Sequence, residues 1–206
     1  MSMHSGHRPS NYMYCIVWIL LSMAARGSWS AETPIELPAA DGSLKKPLEA
    51  TPGSKGAVLI FYLHDCPICN AYAPEIERIR IEYEPKGFSF YIVQTDAALN
   101  AAAAQKHAKE YGFKCPVLLD GANRLAEKCR ATVTPSAAVV GPGEKVLYLG
   151  RIDDLYADYG KRRTEATTRD LRLALDAIAA GKPAPPAAGA AVGCFISSNK
   201  PDKPQK

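Results

Sequence analysis

Residues 58–63 read Val-Leu-Ile-Phe-Tyr-Leu, apolar at every position and rich in β-branched and aromatic side chains, the pattern of a buried strand. Polar residues return at His64 and Asp65. From Cys66 onward the apolar positions take a helical period, with Ile76, Ile79 and Tyr83 at i, i+3 and i+7. The spacing predicts a helix over 66–84, with Pro74 inside it as a source of a kink. A second central strand is predicted over 88–94, ending at Thr95-Asp96, and the Ala-rich stretch 98–111 predicts a helix that Gly112 stops. A short strand over 116–119 leads through Asp120-Gly121 to a helix of about 122–130. Thr134-Pro135 introduces a strand over 136–140, which Gly141-Pro-Gly143 turns into a partner strand over 146–149. A last amphipathic helix spans 164–180, with Leu171, Leu175 and Ile178 on one side.

This alternation predicts an α/β domain over 31–180, with a central mixed β-sheet flanked by helices. Ahead of the first long strand the chain is rich in Pro, Gly and Lys, and Asp41-Gly42 marks a small hairpin. Beyond Gly181 the Pro- and Ala-rich composition predicts a mostly disordered, flexible tail over 181–206.

Length and charge narrow the picture only a little. The 206 residues suffice for one domain with a sizeable core plus extensions. The formal charge of +4 is spread without a basic block, so no nucleic-acid footprint is expected. Residues 1–30 are more informative: they carry Arg8 and Arg26, no acid, an apolar run over 12–25, and Ser28-Trp29-Ser30 before Ala31. That is the layout of a secretory signal peptide cleaved near Ser30, and the run is short for a bilayer span. Cys15 does not sit where a lipid-modified cysteine would. The expected mature protein is exported, touches the membrane only through its signal peptide, and resides where disulfides persist.

The chemistry concentrates at Cys66-Pro67-Ile68-Cys69. Two thiols three apart at the first turn of a helix can close a disulfide with little backbone movement, and the free N–H groups and dipole there favour a thiolate at Cys66. Pro67 suits the first helical position. Cys66 is the better nucleophile and Cys69 the resolving thiol. The bland alternative is a structural disulfide, but so short a loop adds little stability. The arrangement suits the exchange of two electrons with another dithiol.

Taken together, these residues resemble the thioredoxin-like superfamily, and most nearly its exported redoxin branch, over about 35–180. Cys66-x-x-Cys69 at a strand-to-helix junction, Pro74 eight residues after the first cysteine, and Thr134-Pro135 before a strand carry the resemblance. The insert 98–111 fits the redoxin branch. The resemblance implies a three-layer sandwich and a cis Thr134–Pro135 bond beside the cysteines, with Thr134 main-chain groups pairing with an extended partner chain. It also implies protein dithiols or disulfides as substrates, recharging by another redox protein, and no bound organic cofactor; the expected state is a monomer. The chain departs from the pattern at Asp65, where thioredoxins have Trp, at Ile60, where they bury an acid, and at Tyr72, where related reductases carry Glu. Leu63 stands where peroxiredoxins place Thr, which disfavours a direct peroxidase using Cys66.

Several residues keep open readings. His64 is either a solvated loop side chain or an aid to the thiolate, and His64, Cys66 and Cys69 together form a possible metal-binding set, short of the four ligands of a structural zinc site. Cys115 and Cys129 are either a disulfide or two buried free thiols. Cys194, in the small apolar island 192–196, is either an incidental tail residue or an intermolecular or relay thiol. Asp153 and Asp154, being adjacent, point apart and do not suit paired-carboxylate hydrolysis. Tyr156 and Tyr159 are expected to pack at the surface.

Overall fold

The computed structural model describes residues 1–2, 34–49 and 51–197; the signal-peptide expectation for residues 1–30 and the end of the tail lie outside the described residues, Met1 and Ser2 apart. The chain from Pro34 onward forms the unit described below. A small antiparallel pair, β1 (Leu37–Pro38) and β2 (Leu44–Lys45), opens it. Asp41 accepts hydrogen bonds from the main chain and hydroxyl of Ser43, and Gly42 takes the positive φ that the turn needs.

β3 (Gly56–Tyr62) is buried at every position because helices or loops cover both faces of the sheet. Its side chains alternate between two core clusters: Val58, Ile60 and Tyr62 join one, and Leu59 and Phe61 the other. β4 (Phe88–Gln94) and β5 (Val117–Leu119) extend the sheet parallel to it on one side. β7 (Ser136–Val140) and β8 (Val146–Gly150) extend it antiparallel on the other. The five-stranded order β5-β4-β3-β7-β8 is the mixed sheet that the alternation of elements predicts.

α1 (Pro67–Tyr83) leaves the end of β3 and lays Ile68, Cys69, Tyr72, Ala73, Ile76, Ile79 and Tyr83 on the first cluster; Pro74 sits within the continuous helix. α2 (Ala101–Glu110) and α4 (Asp170–Ala179) pack on the same face through Ala104, Leu171, Ala174 and Leu175. α3 (Arg124–Cys129) covers the other face with Leu125, Ala126 and Cys129, beside Leu37 and Leu48. Two sets of covering elements with the sheet between them make the three-layer sandwich.

Three differences from the sequence expectation have local causes. α2 begins at Ala101 instead of 98, because Asp96 accepts from the Ala98 N–H in a turn and Asn100 then caps the helix through the Ala103 N–H. α4 begins at Asp170 instead of 164, because the Asp154 carboxylate accepts from the Thr167 and Thr168 N–H groups and holds that stretch as a loop. A short pair, β9 (Tyr156–Asp158) and β10 (Lys161–Arg162), turns at Gly160 and was not evident from periodicity.

The tail departs furthest. Composition predicts disorder from 181, yet β11 (Cys194–Phe195) pairs antiparallel with β6 (Val133–Thr134). The Ala188 N–H donates to Asp170, the Ile196 N–H to the Thr132 carbonyl, and the Asn123 side chain to the Ser197 carbonyl. A Pro- and Ala-rich segment lacks the apolar surface for its own core but can be held by main-chain hydrogen bonds that a finished domain offers.

The first turn of α3 depends on one acid. Asp120 is fully buried and accepts from the N–H groups of Arg124, Leu125 and Ala126. Replacing Asp120 with Ala leaves those donors without a partner, and is expected to lower stability by about 2 kcal/mol, measured as a lower urea midpoint at unchanged slope.

Candidate active site

The site is built where β3 ends. A loop through Leu63, His64 and Asp65 brings the chain to Cys66, which stands at the N-cap position of α1 with extended backbone, and Pro67 follows at the first helical position. Asn70, just past the second cysteine, ties the loop down. It donates to the His64 carbonyl at 3.0 Å and accepts from the Tyr62 hydroxyl at 2.8 Å, while His107 Nε2 lies 3.0 Å from the same Asn70 oxygen. His107 stacks on Tyr111 at 4.4 Å. Burial, and next the neighbouring His64, hold the His107 pKa below its ordinary value, which favours the neutral ring in this network.

Cys66 and Cys69 lie 3.7 Å apart without a bond between them. Their environments push their acidities in opposite directions. The Cys66 thiol is pushed down to about 5, first by the hydrogen bond from Cys69 and then, against the cost of burial, by Cys194 and by the N–H groups of Cys69 and Ile68. Cys69 is pushed far up by burial, and by donating to Cys66 and lying beside its charge. The opposed shifts favour the negative charge on Cys66 and the proton on Cys69. The Leu63 main chain and Thr134 side chain favour the charged form of Cys69, less strongly.

The Thr134–Pro135 bond is cis, as the resemblance implies, and Thr134 reaches Cys69. The structure thus brings together all four residues singled out from sequence: Cys66, Cys69, Thr134 and Pro135. It adds Cys194, whose side chain comes within hydrogen-bond reach of the Cys66 sulfur; burial and that contact push the Cys194 thiol up to about 11. Cys66 is 1% exposed and Cys69 fully buried, so neither sulfur is open to solvent in this conformation.

The other open residues resolve by position. His64 sets Nδ1 3.6 Å from an Asp96 carboxylate oxygen, and among the described residues no group of three or more His, Cys, Asp or Glu side chains is arranged to hold a metal ion. Cys115 and Cys129 are free thiols in different core clusters, Cys115 with the α1 face and Cys129 with the α3 face. Asp153 and Asp154 do point apart: Asp153 accepts from the Tyr72 hydroxyl at 2.6 Å, and Asp154 caps the Thr167-Thr168 loop. Tyr156 packs at 5.7 Å on Tyr72, whereas Tyr159 is exposed. Periodicity gave no reason to single out Asn70 or His107; the available signals were an amide directly after the second cysteine and a lone His in an Ala-rich helix.

The redoxin family model matches residues 30–160. No curated protein matches the chain in sequence. Among solved structures, an uncharacterized conserved protein from Geobacillus kaustophilus is 27% identical with a TM-score of 0.67, covering 83% of this chain and 91% of its own. A hypothetical protein from Sinorhizobium meliloti is 24% identical with a TM-score of 0.68, covering 81% of this chain and 92% of its own.

The opposed acidities set a pH dependence. Folding depresses the Cys66 pKa, so its contribution to stability is present above the ordinary thiol value of 9.0 and is lost as pH falls toward about 5. The reduced protein should show a thiolate absorbance step at 240 nm with a midpoint near 5. Cys66→Ser should remove that step, and Cys115→Ser should leave it unchanged.

Proposed function

The chain belongs to the redoxin family, and on that premise we propose that it is an exported thiol-disulfide oxidoreductase that exchanges two electrons with protein disulfides through Cys66 and Cys69. The observation that carries the reading is the pairing of a thiolate-stabilised Cys66, at a helix N-cap, with a protonated Cys69 3.7 Å away. Export rests on the sequence pattern of residues 1–30.

The chemistry follows from the two environments. The Cys66 thiolate attacks one sulfur of a partner disulfide; a Cys66–partner bond forms, and the other partner sulfur leaves as a thiolate and takes a proton from water. Cys66 then carries no charge. This removes two of the influences that hold the proton on Cys69, leaving burial opposed by the Leu63 main chain and Thr134. Cys69 gives up its proton and attacks Cys66, forming the Cys66–Cys69 disulfide and releasing the reduced partner. A dithiol protein returns two electrons by the reverse steps. Run backwards from the oxidised form, the same sequence oxidises a partner dithiol, the direction following the relative reduction potentials.

Thr134 and Pro135 are positioning residues in this reading. Their bend keeps the β6 main chain beside the thiols, where an extended partner segment can pair with it.

The test removes each thiol in turn. Cys66→Ala should lower the rate of reduction of a protein disulfide such as insulin by on the order of a thousandfold or more. A Cys69→Ala, Cys194→Ala double variant, stripped of both thiols that touch Cys66, should accumulate partners disulfide-linked to Cys66, recovered on non-reducing gels. Intact activity in Cys66→Ala with no recovered mixed disulfide would refute the reading.

A further inference from the structure

The strand that covers the cysteine pair carries a cysteine of its own. β11 lies antiparallel to β6 with Cys194 opposite Thr134 and Phe195 opposite Val133. The Thr134 hydroxyl donates to the Cys194 carbonyl at 3.2 Å, and the Ile196 N–H to the Thr132 carbonyl at 2.9 Å. The register is enforced by Gly193: a Cβ built there would overlap the Thr134 carbonyl oxygen and come 3.0 Å from Pro135 Cδ. Only a residue without a side chain lets the strand sit this close to the cis-proline bend.

The approach to the strand is anchored as well. Buried Asp170 accepts the Ala188 N–H at 2.7 Å while its other oxygen pairs with Arg151 at 2.8 Å. A Cβ at Gly189 would press on the Arg151 guanidinium. Beyond the strand, Asn123 holds the Ser197 carbonyl at 2.6 Å. Residues 188–197 are thus fixed at both ends and in the middle, and Val192 and Cys194 pack against the α1-face core. The side chain that this strand brings within hydrogen-bond reach of the Cys66 sulfur is a thiol, a group that can exchange with it.

We propose that residues 192–196 are a tethered stand-in for a partner chain, and that Cys194 is a third redox thiol that forms an internal disulfide with Cys66. The proposal rests on the reading of Cys66 as an exchanging nucleophile. In the oxidised protein, Cys194, its proton passing to water, attacks Cys66 of the Cys66–Cys69 bond. A Cys66–Cys194 bond forms, Cys69 leaves and is protonated, and no net oxidation occurs. A partner reaches Cys66 by displacing β11 from the edge of β6. A partner segment taking the same register meets the same Thr134 carbonyl, so the fitting class is an extended chain with Gly immediately before its reactive cysteine.

The internal bond is tested in the full chain with Cys69→Ser, which leaves Cys194 as the neighbour of Cys66. Oxidised glutathione serves as the probe. Cys66 attacks it, forming a Cys66–glutathione disulfide and releasing one glutathione. Cys194 then attacks Cys66, releasing the second, so two protein thiols lose two electrons and one glutathione disulfide becomes two thiols. Peptide mapping without reductant should find Cys66 linked to Cys194 and no retained glutathionyl group. A stable glutathione adduct on Cys66 with Cys194 free overturns the proposal and leaves the oxidoreductase reading standing. Absence of any reaction at Cys66 overturns both. Adding Gly193→Ala, which cannot hold the strand on β6, should slow closure of the internal bond by on the order of tenfold, the factor that one or two main-chain hydrogen bonds are worth. Closure at an unchanged rate would show that the tail reaches Cys66 without docking, and would overturn the stand-in.

Discussion

The candidate site turns on how one sulfur, that of Cys66, is seated at the N-terminus of α1. A buried thiolate is costly unless donors face it, and here donors come from three sources: the Cys69 thiol, the Cys194 thiol and the N–H groups of Ile68 and Cys69. Each source has a structural requirement. The N–H groups require a helix that starts at Pro67; the Cys69 thiol requires that its own ionisation be blocked by burial; the Cys194 thiol requires a docked tail. The strand, the helix and the tail are thus arranged around one sulfur.

The two-sided core carries the packing of the sheet to that sulfur. β3 is covered on both faces up to its end at Tyr62. Its alternation of Val58, Ile60 and Tyr62 against Leu59 and Phe61 gives each face its share. Tyr62, the last residue of β3, is at once a core side chain and a donor to Asn70. Packing of the sheet is carried directly into the loop that presents Cys66. Tyr72, on α1 one turn beyond Cys69, donates its hydroxyl to Asp153 and ties that helix to the loop after β8.

The tail shows how a segment with little hydrophobic content becomes part of a site. β6 is two residues long and, among the described strands, pairs with β11 alone. An unpaired strand edge is a place where an extended chain can pair. The protein fills that edge from its own C-terminal segment, with Gly193 giving the close approach and Asp170 and Asn123 giving the anchors.

How much of this was legible beforehand follows from the range of each interaction. The long strands, the helices, the mixed sheet and the meeting of Cys66 with Cys69 are written in local periodicity and three-residue spacing, and the sequence by itself determined them. Thr134 and Pro135 could be placed beside the cysteines only through resemblance, since no local rule joins positions that far apart. The separation of Cys115 from Cys129 was decided by tertiary structure, because a strand and a helix of similar length place two residues near each other without saying on which face of the sheet each lies. The partnership of Tyr62, Asn70 and His107, and above all the docking of Cys194, were decided there too. Hydrogen bonds between distant main-chain groups leave no trace in composition, and a Pro- and Ala-rich tail reads as disordered until a folded edge exists to receive it.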